Sequence, residues 1–401
     1  MQSVLQPRTF VENLQRVLRQ NIREYGMYIA LFVIMAIFAI TTKGTFVSSR
    51  NLSNLLNQTG YIAVLAVGMT LVIVIRQIDL SVGFLAGFLG AVAAIALSRW
   101  GLPVIVVVLL VLALGALAGL LTAFPVAKLG IPSFVASLAG WLIYRGALQL
   151  VTEGSGTIII ADEAFNALGN GFIPDIPNIG ILAEVHKLTL LLGIVAIVSF
   201  MLSEMNGRRK KLAYNFEVLP RELFVLKLLF VAVVVGAITW ILANYNGISW
   251  TVVIMLAVVG VYHFITTQTV LGRHIYAVGG NPDAAELSGI SVKRIIYMVF
   301  GSMGLLSALS GILFAARLTS ASTTAGTLFE LDAIAAAYVG GVSAAGGVGR
   351  VTGSIIGALV MTSLINGMNL MGVGISYQYI VRGAVLAAAV IFDVYTRRAS
   401  R

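Results

Sequence analysis

Apolar runs of the length that crosses a bilayer, about 17–25 residues each, recur along almost the whole of this chain. Charged residues cluster in the short stretches between them. The runs fall at 26–41, 57–75, 80–97, 102–123, 132–151, 188–205, 223–243, 250–267, 295–316, 331–343, 351–371 and 375–393. The tenth is too short to span alone and reads as half of a broken helix. The expected fold class is therefore an all-α integral membrane protein, a polytopic bundle of 10–12 transmembrane helices, some of them broken. A dozen crossings at about 20 residues use so much of the 401 residues that no room is left for a large soluble domain.

Composition agrees and closes off other classes. Only 10% of residues are charged, against about 25% in a soluble domain. The 42 glycines suit lipid, where small residues let helix backbones approach closely. A formal charge of +10 does not point to nucleic acid, because the basic residues sit in short loops and form no soluble basic face. Without cysteine there are no disulfides and no Cys-based metal or redox chemistry. Four arginines precede the first run and no small-residue cleavage pattern follows it, so that run is expected to be a retained helix and not a cleaved signal.

Lys and Arg accumulate on the cytoplasmic side of such a bundle. With the N-terminus inside, eighteen of the 26 basic residues fall on cytoplasmic segments. Five fall outside (Lys43, Arg50, Arg99, Lys187 and Arg317), while Arg145, Lys227 and Arg382 lie within spans. Both termini are expected in the cytoplasm. Residues 1–25 then form a cytoplasmic amphipathic segment, with Phe10, Leu14, Val17, Leu18 and Ile22 at helical spacing among Arg16, Arg19 and Arg23. Such a segment lies against anionic membrane lipid. Residues 26–393 form a single transmembrane domain, and 394–401 a basic cytoplasmic tail. The external loop 152–187 carries five acids, Glu153, Asp162, Glu163, Asp175 and Glu184, and reads equally as a partner surface or a solvated connection. Cytoplasmic loops are expected at 206–222 and 268–294. Val82-Gly83…Gly87 and Val348-Gly349…Gly353 echo one another, as the halves of a transporter built from repeats do.

No catalytic set emerges. None of the seven lysines precedes Ser or Thr, so the phosphate-binding loop Gly-x-x-x-x-Gly-Lys-Ser/Thr is missing. His186, His263 and His274 are far apart and lack metal-ligand spacing. The chain is expected to be no enzyme, with no metal and no cofactor.

Two polar stretches interrupt the apolar pattern. In Arg76-Gln77-Ile78-Asp79-Leu80-Ser81 a carboxylate stands at a tight turn between two spans, where a buried acid needs a partner. Arg76 or the free amides of the next helix's N-terminus can supply one, and Ser81 can help cap that helix. A structural role and a role lining a solute route both fit Asp79. In Gly280-Asn281-Pro282-Asp283-Ala284-Ala285-Glu286-Leu287-Ser288-Gly289, Asn281 followed by Pro282 marks a helix start, and Gly289 marks its stop. A short capped helix in a polar loop is more than a hairpin needs and reads as a docking element for a cytoplasmic partner.

These residues bring a family with them. Phe46–Asn51, Asn54-Leu55-Leu56-Asn57-Gln58, Ala66–Met69, Ile78–Gly83, Pro132-Ser133-Phe134 with Leu138 and Arg145-Gly146, Gly279–Ile290 and Gly340-Gly341 with Ala345–Gly349 together resemble the permease subunit of bacterial ABC importers for monosaccharides, the ribose, galactose and xylose group. The basic loop 206–222 and the spans around it look more like the longer xylose-type and multiple-monosaccharide members. That family usually reads Gly-Gly-Ile-Asp-Leu-Ser at the first stretch, and here Arg76-Gln77 replace the glycines. The resemblance implies the importer permease fold in a bacterial inner membrane. It implies a homodimer with a second copy of this chain, a separate cytoplasmic ATP-binding cassette ATPase subunit and a periplasmic sugar-binding protein. It also implies an ATPase-coupling role for Gly280, Asn281, Pro282, Asp283, Ala285, Glu286 and Gly289.

The solute would be a monosaccharide such as xylose, galactose or arabinose. Polar residues on otherwise apolar spans are the candidate lining of its path: Asn57, Gln58, Asp79, Ser81, Asn366 and Asn369. Each equally suits a hydrogen bond between helices. The alternative is a stand-alone, ion-coupled secondary transporter of a small polar solute, with Asp79 as the titrating acid.

Overall fold

The computed structural model describes residues 22–154, 156–177, 185–216 and 218–399. The amphipathic segment expected at 1–25 lies outside them except for its last residues, which open the first helix. Along the chain run α1 (Ile22–Thr41), α2 (Ser49–Val74), α3 (Val82–Ser98), α4 (Val104–Leu129), α5 (Ser133–Thr152), β1 (Thr157–Ile159) and α6 (Glu163–Asn170). Then come α7 (Lys187–Ala213), α8 (Arg221–Ala243), α9 (Trp250–Gln268), α10 (Val270–Gly280), α11 (Pro282–Leu287) and α12 (Val292–Leu318). β2 (Ser320–Ser322), α13 (Phe329–Val339), α14 (Val351–Leu370) and α15 (Ile375–Ala399) complete the order. Among the described residues nine helices are long and apolar enough to cross a membrane, and two shorter apolar helices, Gly26–Thr41 and Val82–Ser98, join them.

Contacts divide the chain into two compact units. Among the described residues, one comprises 22–26, Val47–Ser53 and those of 172–248; the other comprises Met27–Phe46, those of 54–171 and 249–399. The smaller unit is built on the α7–α8 hairpin. His186 caps α7 by accepting the Thr189 N–H at 3.2 Å, and Gly193 leaves room for Thr239 of α8. Lys227 pairs with Glu204 at 2.8 Å across the hairpin. The stretch expected as a loop at 206–222 is mostly helix. Arg208, Arg209, Lys210 and Lys211 ride the last turns of α7, where cations complement the helix dipole. Asp175, in the approach to α7, accepts the Leu188 N–H at 2.9 Å. That bond, against an opposing desolvation and helped by Ile176, His186 and Lys187, holds its carboxyl below the usual range.

The larger unit packs helix backbone on helix backbone. α12 lies along α4, with Gly115 against Gly304 and Gly119 against the Phe300 carbonyl, so close that a Cβ at either site would collide with main chain. Gly353 and Gly357 of α14 meet the carbonyls of Gly340 and Ala336 in the same way. Close approach of this kind supplies the dispersion contacts that hold helices together where lipid offers no hydrophobic drive. The stretch expected as an external loop at 152–187 contains structure too. β1 pairs antiparallel with β2 in the register Thr157↔Ser322 and Ile159↔Ser320, and α6 is capped by Asp162, which accepts the Phe165 N–H at 2.8 Å.

Two apolar helices of this unit fall short of the long spans around them. α3 has 17 residues and α13 has 11, about 25 Å and 16 Å at 1.5 Å per residue. Each adjoins an irregular segment, 75–81 before α3 and 340–350 after α13. The paired glycine motifs border these breaks out of register: α3 begins at Val82, whereas Val348 and Gly349 precede the start of α14 at Val351. In both, the second glycine, Gly87 or Gly353, lies against a facing carbonyl.

Candidate functional site

The helix foreseen after Asn281 forms with the caps its sequence dictates. Asn281 Oδ1 accepts the Ala284 N–H at 3.1 Å, Pro282 opens the first turn, and Gly289 leaves at φ +83°. Ala285 alone of its middle residues is buried, while Asn281, Asp283, Glu286 and Gly289 are exposed. Leu287 is 90% exposed. α11 follows α10 directly, so the end of α10 decides where it stands.

Arg76 anchors that end. Its Nε donates to the Gly279 carbonyl at 2.7 Å, and Nη2 donates to the Gly280 carbonyl. These are the last carbonyls of α10, which lack partners within their own helix and carry the negative end of its dipole. Arg76 reaches them from a left-handed backbone, φ +61°, which costs a non-glycine residue about 1–2 kcal/mol. The main chain closes the same junction. The Gly347 N–H donates to the Val74 carbonyl at 2.8 Å, and Gly279 is so close to that carbonyl and to the Gly347 nitrogen that no side chain fits. Tyr276 Oη donates to the Gly349 carbonyl at 2.6 Å. Asp393 of α15 accepts the Ala344 N–H at 3.2 Å and the Ser343 hydroxyl at 3.3 Å. Both helix breaks and the link between α10 and α11 thus meet at one place.

Irregular backbone survives inside a membrane protein only where other groups satisfy it. The Ile78 N–H donates to Ser133 Oγ at 3.1 Å, and Ser137 Oγ donates to the Ile78 carbonyl at 3.4 Å. Asp79 is 2% exposed, and its Oδ1 accepts the Ser81 N–H at 2.9 Å and the Ser81 hydroxyl at 2.6 Å. Of the two partners foreseen for Asp79 the structure shows the amide, while the cap expected of Ser81 does not form. Arg76 turns to α10 and not to Asp79, so the amide at the start of the next helix holds the acid. Ser81 makes no side-chain cap on α3, because its hydroxyl is spent on Asp79.

The other polar residues proposed along the spans are dispersed. Asn57 accepts from the Ser249 hydroxyl at the start of α9. Asn366 Nδ2 donates to Gln58 Oε1 at 3.4 Å, and Gln378 Nε2 donates to Asn369 Oδ1 at 2.8 Å. With the Thr59–Thr362 hydroxyl pair at 2.6 Å and the Thr70–Ser354 pair, they tie α2, α14 and α15 together. Asn57, Gln58 and Asn366 occupy one neighbourhood; Asp79 and Ser81 belong to the break.

One polar feature went unforeseen. Arg382 of α15 donates from Nε to Asp332 Oδ1 at 3.0 Å and from Nη2 to Oδ2, a two-pronged ion pair with both side chains largely buried. The pair lines a cavity of about 420 Å³ together with Thr327, Met361 and Tyr379. Beside it Glu330 accepts the Trp141 Nε1–H at 3.0 Å, and its other oxygen is buried without a partner. A lone Arg in an apolar span and two acids opening a short one were the available signal.

Nine long apolar helices, two shorter ones and acids buried among them define, for the described residues, a multi-pass membrane protein whose buried charges and irregular segments suit transport. A family model described as "Branched-chain amino acid transport system / permease component" matches residues 51–390, and the chain belongs to that family. It is 41% identical over 382 residues to the xylose transport system permease protein XylH of Haemophilus influenzae, covering 94% of this chain and 98% of the relative. The corresponding XylH of Escherichia coli K12 is 38% identical over 380 residues, covering 95% and 94%. The ribose import permease protein RbsC of E. coli K12 is 37% identical over 372 residues, covering 92% and 93%. No solved structure matches the chain.

Proposed function

We infer that this chain is the membrane subunit of an ATP-driven importer for a monosaccharide, xylose or a similar sugar. The observation that carries the reading is full-length similarity to xylose and ribose permeases. The capped and exposed α11, joined to both helix breaks, supports it. In this reading two copies of the chain form the path, a cytoplasmic ATPase subunit docks on α11, and a periplasmic binding protein delivers the sugar. ATP binding moves α11 and switches the path between its outward- and inward-open states. Catalysis of hydrolysis belongs to the ATPase, not to this chain.

The chain sits in the bacterial inner membrane among lipid with both termini inside. Its same-end contacts support the grouping of segments by side, and the bias of Lys and Arg supplies the direction. Arg76, Gly280 and Gly347 meet at one end, and all three lie on segments that charge assigns to the cytoplasm; β1 and β2 pair on segments assigned to the exterior. Asn57, Gln58, Asp79, Ser81, Asn366 and Asn369 remain candidate path residues. The test is uptake by proteoliposomes holding this chain with its ATPase and binding protein. Sugar accumulation that requires ATP and the binding protein is expected. Accumulation driven by a proton gradient without ATP would instead mark an ion-coupled secondary transporter.

A further inference from the structure

We propose that Arg76 is a positioning residue of the transport cycle, carrying displacement of α11 into the helix break at 75–81. The proposal rests on the reading of α11 as the ATPase-coupling helix. Three observations lead to it. The guanidinium holds the Gly279 and Gly280 carbonyls, immediately before the Asn281 cap of α11. Its own backbone lies within the irregular segment between Val74 and Val82, the link between two helices. Finally, Arg76 keeps a left-handed conformation that glycine would adopt without strain. A strained residue persists where the surrounding structure determines it, and here the two bonds from its side chain oppose the strain.

The geometry makes the direction of transmission specific. A guanidinium bonded through Nε and Nη2 resists rotation as well as separation, as a planar fork does. Movement of the α10–α11 link therefore draws on residue 76, and through it on Ile78 and Asp79. The Gly347–Val74 bond brings the second break to the same point, so both breaks respond to one displacement. A cap that only stabilised α10 would give the same contacts. It would not make the coupling between ATP hydrolysis and sugar movement depend on residue 76.

The experiment compares wild type, R76G and R76K in proteoliposomes with the ATPase and the binding protein. Assembly, basal ATP hydrolysis, its stimulation by sugar-loaded binding protein, and sugar moved per ATP are read together. R76G is expected to assemble, because glycine suits the backbone, and to keep basal hydrolysis. Its stimulation and its sugar-to-ATP ratio should fall at least about fivefold, the lower end of coupling between linked sites. R76K keeps the charge without the fork and should lie between. Normal stimulation and stoichiometry in R76G would overturn the proposal. Failure of both variants to assemble would also overturn it, by making Arg76 a structural cap. If wild-type uptake itself ignores ATP, the importer reading falls and takes this proposal with it. ATP-dependent wild type with a fully coupled R76G removes Arg76 alone.

Discussion

Asp79 Oδ1 accepts two hydrogen bonds from a single residue, the Ser81 N–H at 2.9 Å and the Ser81 hydroxyl at 2.6 Å. The acid is therefore satisfied within its own turn. Asp79→Ala leaves both Ser81 donors buried and unpaired, and should destabilise the permease by about 1–3 kcal/mol. Asp79→Asn keeps an acceptor oxygen and should lose less. Because Arg76 bonds elsewhere, adding Arg76→Gln to Asp79→Asn should give no rescue, only the sum of independent effects. Thermal unfolding of the purified variants measures this, and recovery in the double variant would show that Arg76 does serve the acid.

Gly279 and Gly280 should differ sharply under the same change. A Cβ at Gly279 would run into the Val74 carbonyl and the Gly347 nitrogen, whereas nothing lies within 4 Å of one at Gly280. Gly279→Ala should cost about 1–3 kcal/mol, as overpacking does, and disturb the junction of the two breaks. Gly280→Ala should be tolerated. Equal stability and equal ATP-driven uptake for the two variants would contradict the close approach.

The Asp332–Arg382 pair calls for single and paired substitutions. Arg382→Ala strands a buried carboxylate, and breaking such a pair from one side costs about 3–5 kcal/mol. Asp332→Leu with Arg382→Met removes both charges and should recover most of the stability. If the paired variant is as unstable as the single one, the residues serve something other than each other. Sugar uptake by the paired variant then reports whether the charges also act in transport.

The proposed orientation is open to labelling, since a chain without cysteine gives a clean background. Glu163 at the start of α6 and Lys210 near the end of α7 are both exposed. A cysteine at Glu163 should react with an impermeant maleimide in intact cells, and one at Lys210 only after permeabilisation. The opposite pattern would put α11 on the wrong side for a cytoplasmic partner.

The sequence alone determined what depends on near neighbours. Span positions were legible because apolar length is a local property. The second run, expected at 57–75, becomes α2 from Ser49 to Val74, longer only where polar residues near its start hid the helix. α11 was legible for the same reason, since Asn281, Pro282 and Gly289 act within one turn of themselves. Tertiary structure decided the pairings. Arg76 meets carbonyls 203 and 204 residues away, and main-chain acceptors leave no mark in the choice of side chain. Asp332 and Arg382 stand 50 residues apart, and their charges named each as costly without naming the partner. Gly279 could be read as a turn residue, but its need for a bare backbone arises from Val74 and Gly347, which only the folded chain brings to it.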